Sequence, residues 1–101
     1  MDPDYEAKPD GLYVSDDSGS HRICDQAVEV VSYSSLDQEY YIRWPSGRDY
    51  DHMATVPGDL LDGEDEAGIG QRLSSVGVAV DEGRTKELTR FLRRQAAQIK
   101  H

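Results

Sequence analysis

The chain has 101 residues, of which 37% are hydrophobic and 31% charged, and its 20 acidic and 11 basic residues give a net charge of −9. This length supports one domain with a modest core and leaves little room for a deep substrate cleft. The acidic balance excludes general attraction to nucleic acid or anionic lipid. A single cysteine excludes an internal disulfide, and no apolar run is long enough to span a bilayer. Because the acidic N-terminus is also unlike a signal peptide, the sequence predicts a cytoplasmic protein that does not bind membranes.

The charge is unevenly distributed along the chain. Residues 1–66 contain 17 acidic and 4 basic residues, a net charge of −13, whereas residues 67–101 contain 3 acidic and 7 basic residues, a net charge of +4. The sequence therefore describes an acidic body followed by a basic C-terminal segment, and each needs an explanation.

The first part of the chain is typical of β-structure. Residues 1–10, with two prolines and alternating charge, are predicted to form a loose acidic arm, followed by a single domain over residues 11–101. In the clearest strand, Tyr40, Ile42 and Trp44 alternate with polar residues, the period of a half-buried strand. Strands are predicted at about 11–14, 21–24, 28–33, 39–44 and 48–56.

Helical patterns follow Pro57. One helical turn is predicted at 58–61, a short helix at 70–76 that ends before Gly77, and a longer amphipathic helix at 85–99. Residues 78–80 are predicted to form a small edge strand. The fold class is therefore α+β, an antiparallel β-meander of four to five strands followed by two to three helices, the last packed on the sheet.

The residues that could carry out chemistry do not combine into a catalytic or metal site. His21 and Cys24 have a His-x-x-Cys spacing, but in a strand they point to opposite faces, and His52 supplies only one further ligand. No serine lies in a nucleophile elbow, and the glycines lack a phosphate-loop continuation. The sequence predicts no enzyme activity, no metal and no cofactor.

Carboxylates on alternate positions of the predicted sheet favour a binding function. Alternate residues of a strand lie about 6–7 Å apart, comparable to the step between phosphates along a nucleic-acid strand. An acidic loop extends this pattern, so the surface predicts a nucleic-acid mimic, against the alternative of a solubilising surface that binds nothing. The predicted partner-binding residues are Glu29, Glu39, Asp49, Asp51, Asp62, Glu64, Asp65 and Glu66.

The last predicted helix carries a second charged feature. Its basic residues recur every three or four positions, opposite the apolar stripe. They could contact phosphates, or complement the helix dipole and pair with the acidic sheet. The candidate nucleic-acid contacts are Lys86, Arg90, Arg93 and Arg94.

Short hydrophobic motifs over about residues 10–95 resemble a known family. They are Gly11-Leu-Tyr13, Arg22-Ile-Cys24, Glu29-Val-Val31, Ile42-Arg-Trp44, Ser46-Gly47, Val56-Pro57, Leu60-Leu61 and Leu73 with Gly77-Val78. Their order resembles the N-terminal part of the domain of unknown function 927, found in helicase-like replication proteins of phages and other mobile elements. The resemblance implies a mobile-element origin, but the ATPase core of those relatives is not part of this sequence, so their activity is not carried over. The chain is then either an excised domain or a module used alone.

These features together predict a non-enzymatic acidic inhibitor of anti-CRISPR type. Its partner would be a host protein or ribonucleoprotein with a basic nucleic-acid groove, a CRISPR effector first and a restriction or other DNA-handling complex second. The alternative is an accessory domain of a replication protein that contacts DNA or a helicase through the basic helix. A monomer and a dimer are both open, since Tyr41, Met53 and an edge strand could support pairing.

Overall fold

The computed structural model describes residues 4–63 and 66–100, without the side chain of Lys100. Within these residues the chain forms strands first and helices second, as the sequence predicts. The strands are β1 (Asp4–Lys8), β2 (Gly11–Asp16), β3 (Gly19–Cys24), β4 (Glu29–Ser34), β5 (Glu39–Pro45) and β6 (Asp51–Pro57). The helices are α1 (Gly58–Asp62), α2 (Glu66–Ser75) and α3 (Thr85–Lys100).

The strands form two antiparallel three-stranded sheets, each a meander. Sheet A has the order β1-β2-β3 and sheet B the order β4-β5-β6. The α+β class is confirmed, with six described strands rather than four to five. The extra strand is β1, so the prediction of a loose arm is wrong for residues 4–8, and residues 1–3 lie outside the described part. β1 is held by its pairing with β2 and by Tyr5, whose ring lies 4.8 Å from that of Phe91 in α3.

Sheet B buries the side chains that the alternating pattern of β5 selects. Tyr40 and Ile42 are fully buried and Trp44 is 5% exposed. Helix α3 packs on the inner side of β4 and adds Leu88 and Leu92 to the same core cluster. Each such side chain contributes about 1.5–3 kcal/mol when buried, so this shared core fixes α3 against the sheet.

Helix α3 also contacts the backbone at the edge of sheet B. Gln95 accepts a hydrogen bond from the Val30 backbone N–H through its Oε1, at 2.8 Å. Val30 belongs to β4, the strand at one edge of sheet B. Helix α3 therefore both covers the core and satisfies a backbone group at this edge.

Where an edge strand is predicted at 78–80, the structure has a single β-bridge to β3 and no strand. Val80 forms an antiparallel bridge with Cys24, and the Asp25 N–H donates to the Ala79 carbonyl at 3.0 Å. Arg22 reinforces this pairing with a bidentate ion pair to Asp81: its Nε donates to Oδ2 at 2.8 Å and its Nη2 donates to Oδ1 at 3.0 Å. The C-terminal end of the β3 edge is thereby covered by the chain that links α2 and α3.

Candidate functional site

The register of sheet B defines one solvent-facing surface. In β5, Glu39, Tyr41 and Arg43 alternate with the buried residues, and Arg43 lies directly opposite Glu29 in β4 and Met53 in β6. Because directly opposed residues share a face, these side chains lie on the side of the sheet away from the core. This surface, the outer face of sheet B, comprises Glu29, Ser32, Ser34, Glu39, Tyr41, Arg43, Pro45, Asp51, Met53, Thr55 and Pro57.

Three of the predicted partner-binding residues lie on this outer face. They are Glu29, Glu39 and Asp51, one from each strand of the sheet. Helix α3 packs on the other side of the sheet, and no residue of α3 forms an ion pair with them in the part of the chain that the structure describes. The acidic side chains of the sheet are thus not neutralised by the basic helix.

A cation within the sheet partly neutralises the outer face instead. The Arg43 Nε lies 2.6 Å from a Glu29 carboxylate oxygen and 3.9 Å from one of Asp51. The hydrogen bond that Arg43 donates to Glu29, followed by the negative charge of Glu29, raises the pKa of Arg43. Sequence reasoning placed Arg43 outward but missed this pairing, because only the register puts Glu29 opposite it. The face is consequently less acidic than its carboxylates suggest.

The remaining predicted acidic residues do not form one surface with these three. Asp49 is exposed in the 46–50 loop between β5 and β6, so its predicted place in the strand is wrong. Asp62, at the end of α1, accepts a hydrogen bond from the Tyr40 hydroxyl at 3.0 Å. Glu66 begins α2 and lines a cleft of about 240 Å³ with three basic side chains of α3. Glu64 and Asp65 lie outside the described residues.

The four basic residues predicted on α3 have two different environments. Lys86, Arg90 and Arg94 are exposed and follow one another at intervals of four residues, a rise of about 6 Å per step. None of these three has an ion-pair partner among residues 4–63 and 66–100. The Arg94 guanidinium lies 5.3 Å from the centre of the Tyr5 ring, a distance typical of cation–π contact.

Arg93 is held by the backbone. Its Nε donates to the Leu61 carbonyl at 2.7 Å, and its Nη2 donates to the Gly63 carbonyl. These carbonyls belong to the C-terminal end of α1, where helix carbonyls lack partners within the helix. Arg93 therefore stabilises the junction of α1 and α3, and only the other three cations form the exposed row, called here the basic row of α3 (Lys86, Arg90 and Arg94).

A Ser–His–Asp cluster that sequence reasoning missed lies at the turn between β2 and β3. The Ser18 hydroxyl donates to Asp16 Oδ1 at 2.6 Å and lies 2.9 Å from His21 Nε2. The Ser18 hydrogen bonds lower the pKa of Asp16. In a nucleophilic triad the acid orients the histidine, and the histidine receives the serine proton. Here the Ser18 hydroxyl donates its hydrogen bond to Asp16 instead of to His21. The arrangement stabilises an exposed turn.

His21 and Cys24 do not converge on a metal. Cys24 is buried, and its Sγ donates to the Gln26 carbonyl at 2.9 Å. Burial raises the pKa of the Cys24 thiol to about 11. The described residues contain no group of three or more histidines, cysteines and carboxylates that could hold a metal ion.

Comparisons of the chain with protein families, with curated proteins and with solved structures find no match. The resemblance to the domain of unknown function 927 therefore stays a prediction from the sequence. Within the described residues, no helix combines the length and apolar character needed to cross a membrane.

Proposed function

We propose that this protein is a non-enzymatic acidic binding protein of a phage or other mobile element. It inhibits a host nucleic-acid-binding complex by occupying the basic groove that normally holds nucleic acid, and a CRISPR effector is the first target to test. The mobile-element origin rests on the sequence resemblance alone. The binding surface is the outer face of sheet B.

The observation that supports this proposal is the separation of charge across sheet B. Glu29, Glu39 and Asp51 point away from the core, while α3 with its cations packs on the opposite side. A basic groove approaching the outer face would meet carboxylates first. Complementary charge of this kind accelerates association and excludes wrong partners.

Arg43 limits how strongly this face can act. One cation stands among three carboxylates and lies within 4 Å of two of them. The net charge of the whole chain, −9, supplies the long-range attraction, and Glu39 is the carboxylate of the face furthest along β5 from Arg43. Glu39 and Asp51 are therefore the residues whose charge should be reversed in a test.

The test is capture of host proteins from a lysate by the immobilised protein, with identification by mass and competition by added DNA. Glu39→Lys with Asp51→Lys reverses two charges on the face. Asp17→Lys with Glu82→Lys makes the same change in net charge at exposed residues away from sheet B. We expect the face variant to lose a DNA-competed partner and the control variant to keep it. Equal capture by the face variant and the wild type would refute the proposal.

The basic row of α3 favours a second function, an accessory domain that contacts DNA. Its three cations have no ion-pair partner among the described residues and repeat at about 6 Å, close to the spacing of successive phosphates. The net charge of −9 opposes this binding. A gel shift at low salt separates the two functions. Retardation that fades steeply with salt and is lost in Arg90→Gln with Arg94→Gln would support DNA contact, and no retardation would exclude it.

A further inference from the structure

The hydrogen bonds of sheet B identify which backbone groups of β6 face away from the sheet. The Gly58 N–H donates to the Gln38 carbonyl at 2.9 Å, so this pair, just beyond the strand ends, is hydrogen-bonded. Bonded and non-bonded pairs alternate along an antiparallel ladder. Residues 52, 54 and 56 therefore bond to β5, whereas residues 51, 53 and 55 direct their N–H and C=O groups outward. The Thr55 carbonyl agrees with this assignment, because it accepts a hydrogen bond from Arg72 of α2, at 2.8 Å.

The two edges of sheet B differ in how they are covered. At the β4 edge, the outward N–H of Val30 is bonded to Gln95 of α3. At the β6 edge, the hydrogen bonds that Arg72 forms with described residues of this strand are all to Thr55. The outward backbone groups of Asp51 and Met53 have no hydrogen-bond partner within the described residues. An edge of this kind is a template for another strand.

The side chains at this open edge indicate what could pair with it. Tyr50 and Met53 are 58% and 61% exposed, and they are two of the three large hydrophobic residues that the described surface exposes. Asp49 and Asp51 flank Tyr50, and Asp51 lies two residues before Met53. Asp51 and Met53 lie on the same face of the sheet. A strand laid beside β6 would meet them with two of its own residues that are two positions apart, so basic residues at alternate positions would pair with Asp51 and lay their aliphatic stems against Met53.

We propose that the β6 edge at Asp51–Met53 binds an extended segment of the partner by strand addition, and that this segment carries lysine or arginine at alternate positions. Main-chain hydrogen bonds would supply affinity, and the alternating side chains would supply specificity. The proposal rests on the proposed function for the basic character of the partner, but the open edge itself is independent of it.

A second copy of the chain is the competing occupant of the edge. Two β6 edges paired about Met53 would bring Asp49 and Asp51 of both copies to one interface. Each copy also carries a net charge of −9, and like charges oppose association. Charge complementarity therefore favours a basic segment over a second copy.

The experiment uses a fluorescent heptapeptide that alternates lysine and valine. Its control is the same peptide with N-methyl groups on alternate residues, which blocks one hydrogen-bonding edge and keeps the charge. We expect the parent peptide to bind, the N-methyl peptide to bind at least tenfold more weakly, and amide hydrogen exchange at Met53 to slow in the parent complex. Equal binding of both peptides without protection of Met53, or no binding at all, would overturn strand addition.

A pair of proline variants tests the edge within the protein. Met53→Pro removes an outward N–H and should leave the fold intact, because proline is tolerated where an edge N–H faces solvent. Ala54→Pro removes an N–H directed at β5 and should destabilise the sheet. We expect Met53→Pro to lose at least tenfold in affinity for the parent peptide. Unchanged affinity in a folded Met53→Pro would overturn the proposal, as would concentration-dependent protection of Met53 without peptide, which would assign the edge to a second copy.

These outcomes are distinguishable from failure of the proposed function. If the charge-reversal variants differ in partner capture as expected but the peptide does not bind, the acidic face acts without strand addition. If the peptide protects Met53 but charge reversal on the face has no effect on capture, the edge binds a chain and the proposed function is wrong.

Discussion

Replacing Arg93 by glutamine should separate the cations that hold the fold from those available to bind. The wild-type side chain donates to the carbonyls of Leu61 and Gly63. Hydrogen bonds from charged groups contribute about 1.5–3 kcal/mol each, and water can replace part of this at a half-buried site. We therefore expect Arg93→Gln to lower the free energy of unfolding by about 2–4 kcal/mol.

The matched control is Arg90→Gln, which removes the same charge from the exposed face of the same helix. A surface change of this kind usually alters stability by less than about 0.5 kcal/mol. Urea denaturation followed by circular dichroism measures both. With a slope of about 1 kcal/mol per molar for a small domain, the midpoint should fall by about 2 M or more for Arg93→Gln and hardly move for Arg90→Gln. Similar midpoints for the two variants would show that the contacts to α1 do not stabilise the fold.

Three further predictions concern the backbone and two titrating groups. A Cβ at Gly11, where φ is +147°, would lie 2.2 Å from the Cys24 carbonyl oxygen, so Gly11→Ala should lower the free energy of unfolding by about 3 kcal/mol or more. Gly19 also has a positive φ, +114°, but open space around it, so Gly19→Ala should lower it by only about 1–2 kcal/mol in the same urea assay. Because burial raises the pKa of Cys24 from 9.0 to about 11, the contribution of its buried thiol to stability should be lost as the pH rises from 9 to 11. A Cys24→Ala variant whose urea midpoint falls over this pH range as steeply as that of the wild type would contradict this. Ser18→Ala should raise the lowered pKa of Asp16 toward its ordinary 3.8, measured by NMR of the carboxyl carbon, and an unchanged pKa would show that the hydroxyl is not the cause.

The elements that the sequence predicts well are those whose local pattern agrees with the tertiary structure. The alternation of Tyr40, Ile42 and Trp44 identifies the buried side of β5, and the apolar stripe of 85–99 identifies α3. β1 was missed because its five residues, Asp4–Lys8, include three charged side chains and follow a proline. Its stability comes from pairing with β2 and from the contact of Tyr5 with α3, neither of which is encoded locally.

For the candidate site, the sequence predicts whether a side chain points into the core or out to solvent, but not which residues lie opposite it on the neighbouring strand. A period of two places Glu39 outward once Tyr40 is inward, and the structure agrees. The pairing of Arg43 with Glu29 depends instead on the register of β4 against β5, which shifts at an irregularity between Val30 and Ser32. No local pattern specifies that shift, so the counter-ion of the acidic face could not be assigned from the sequence.

Helix α3 presents its apolar side to the core and its basic row to solvent, and this orientation determines whether the basic row can interact with the outer face of sheet B. Because the helix buries Leu88 and Leu92 against the inner side of β4, its exposed cations and the carboxylates of the outer face of sheet B lie on opposite sides of a packed layer. The basic row therefore cannot form ion pairs with Glu39 or Asp51 unless α3 is detached from the core. A partner with one basic groove can then engage the outer face while the basic row stays in solvent, and a charge change on α3 that left the fold intact should alter that engagement only through the net charge.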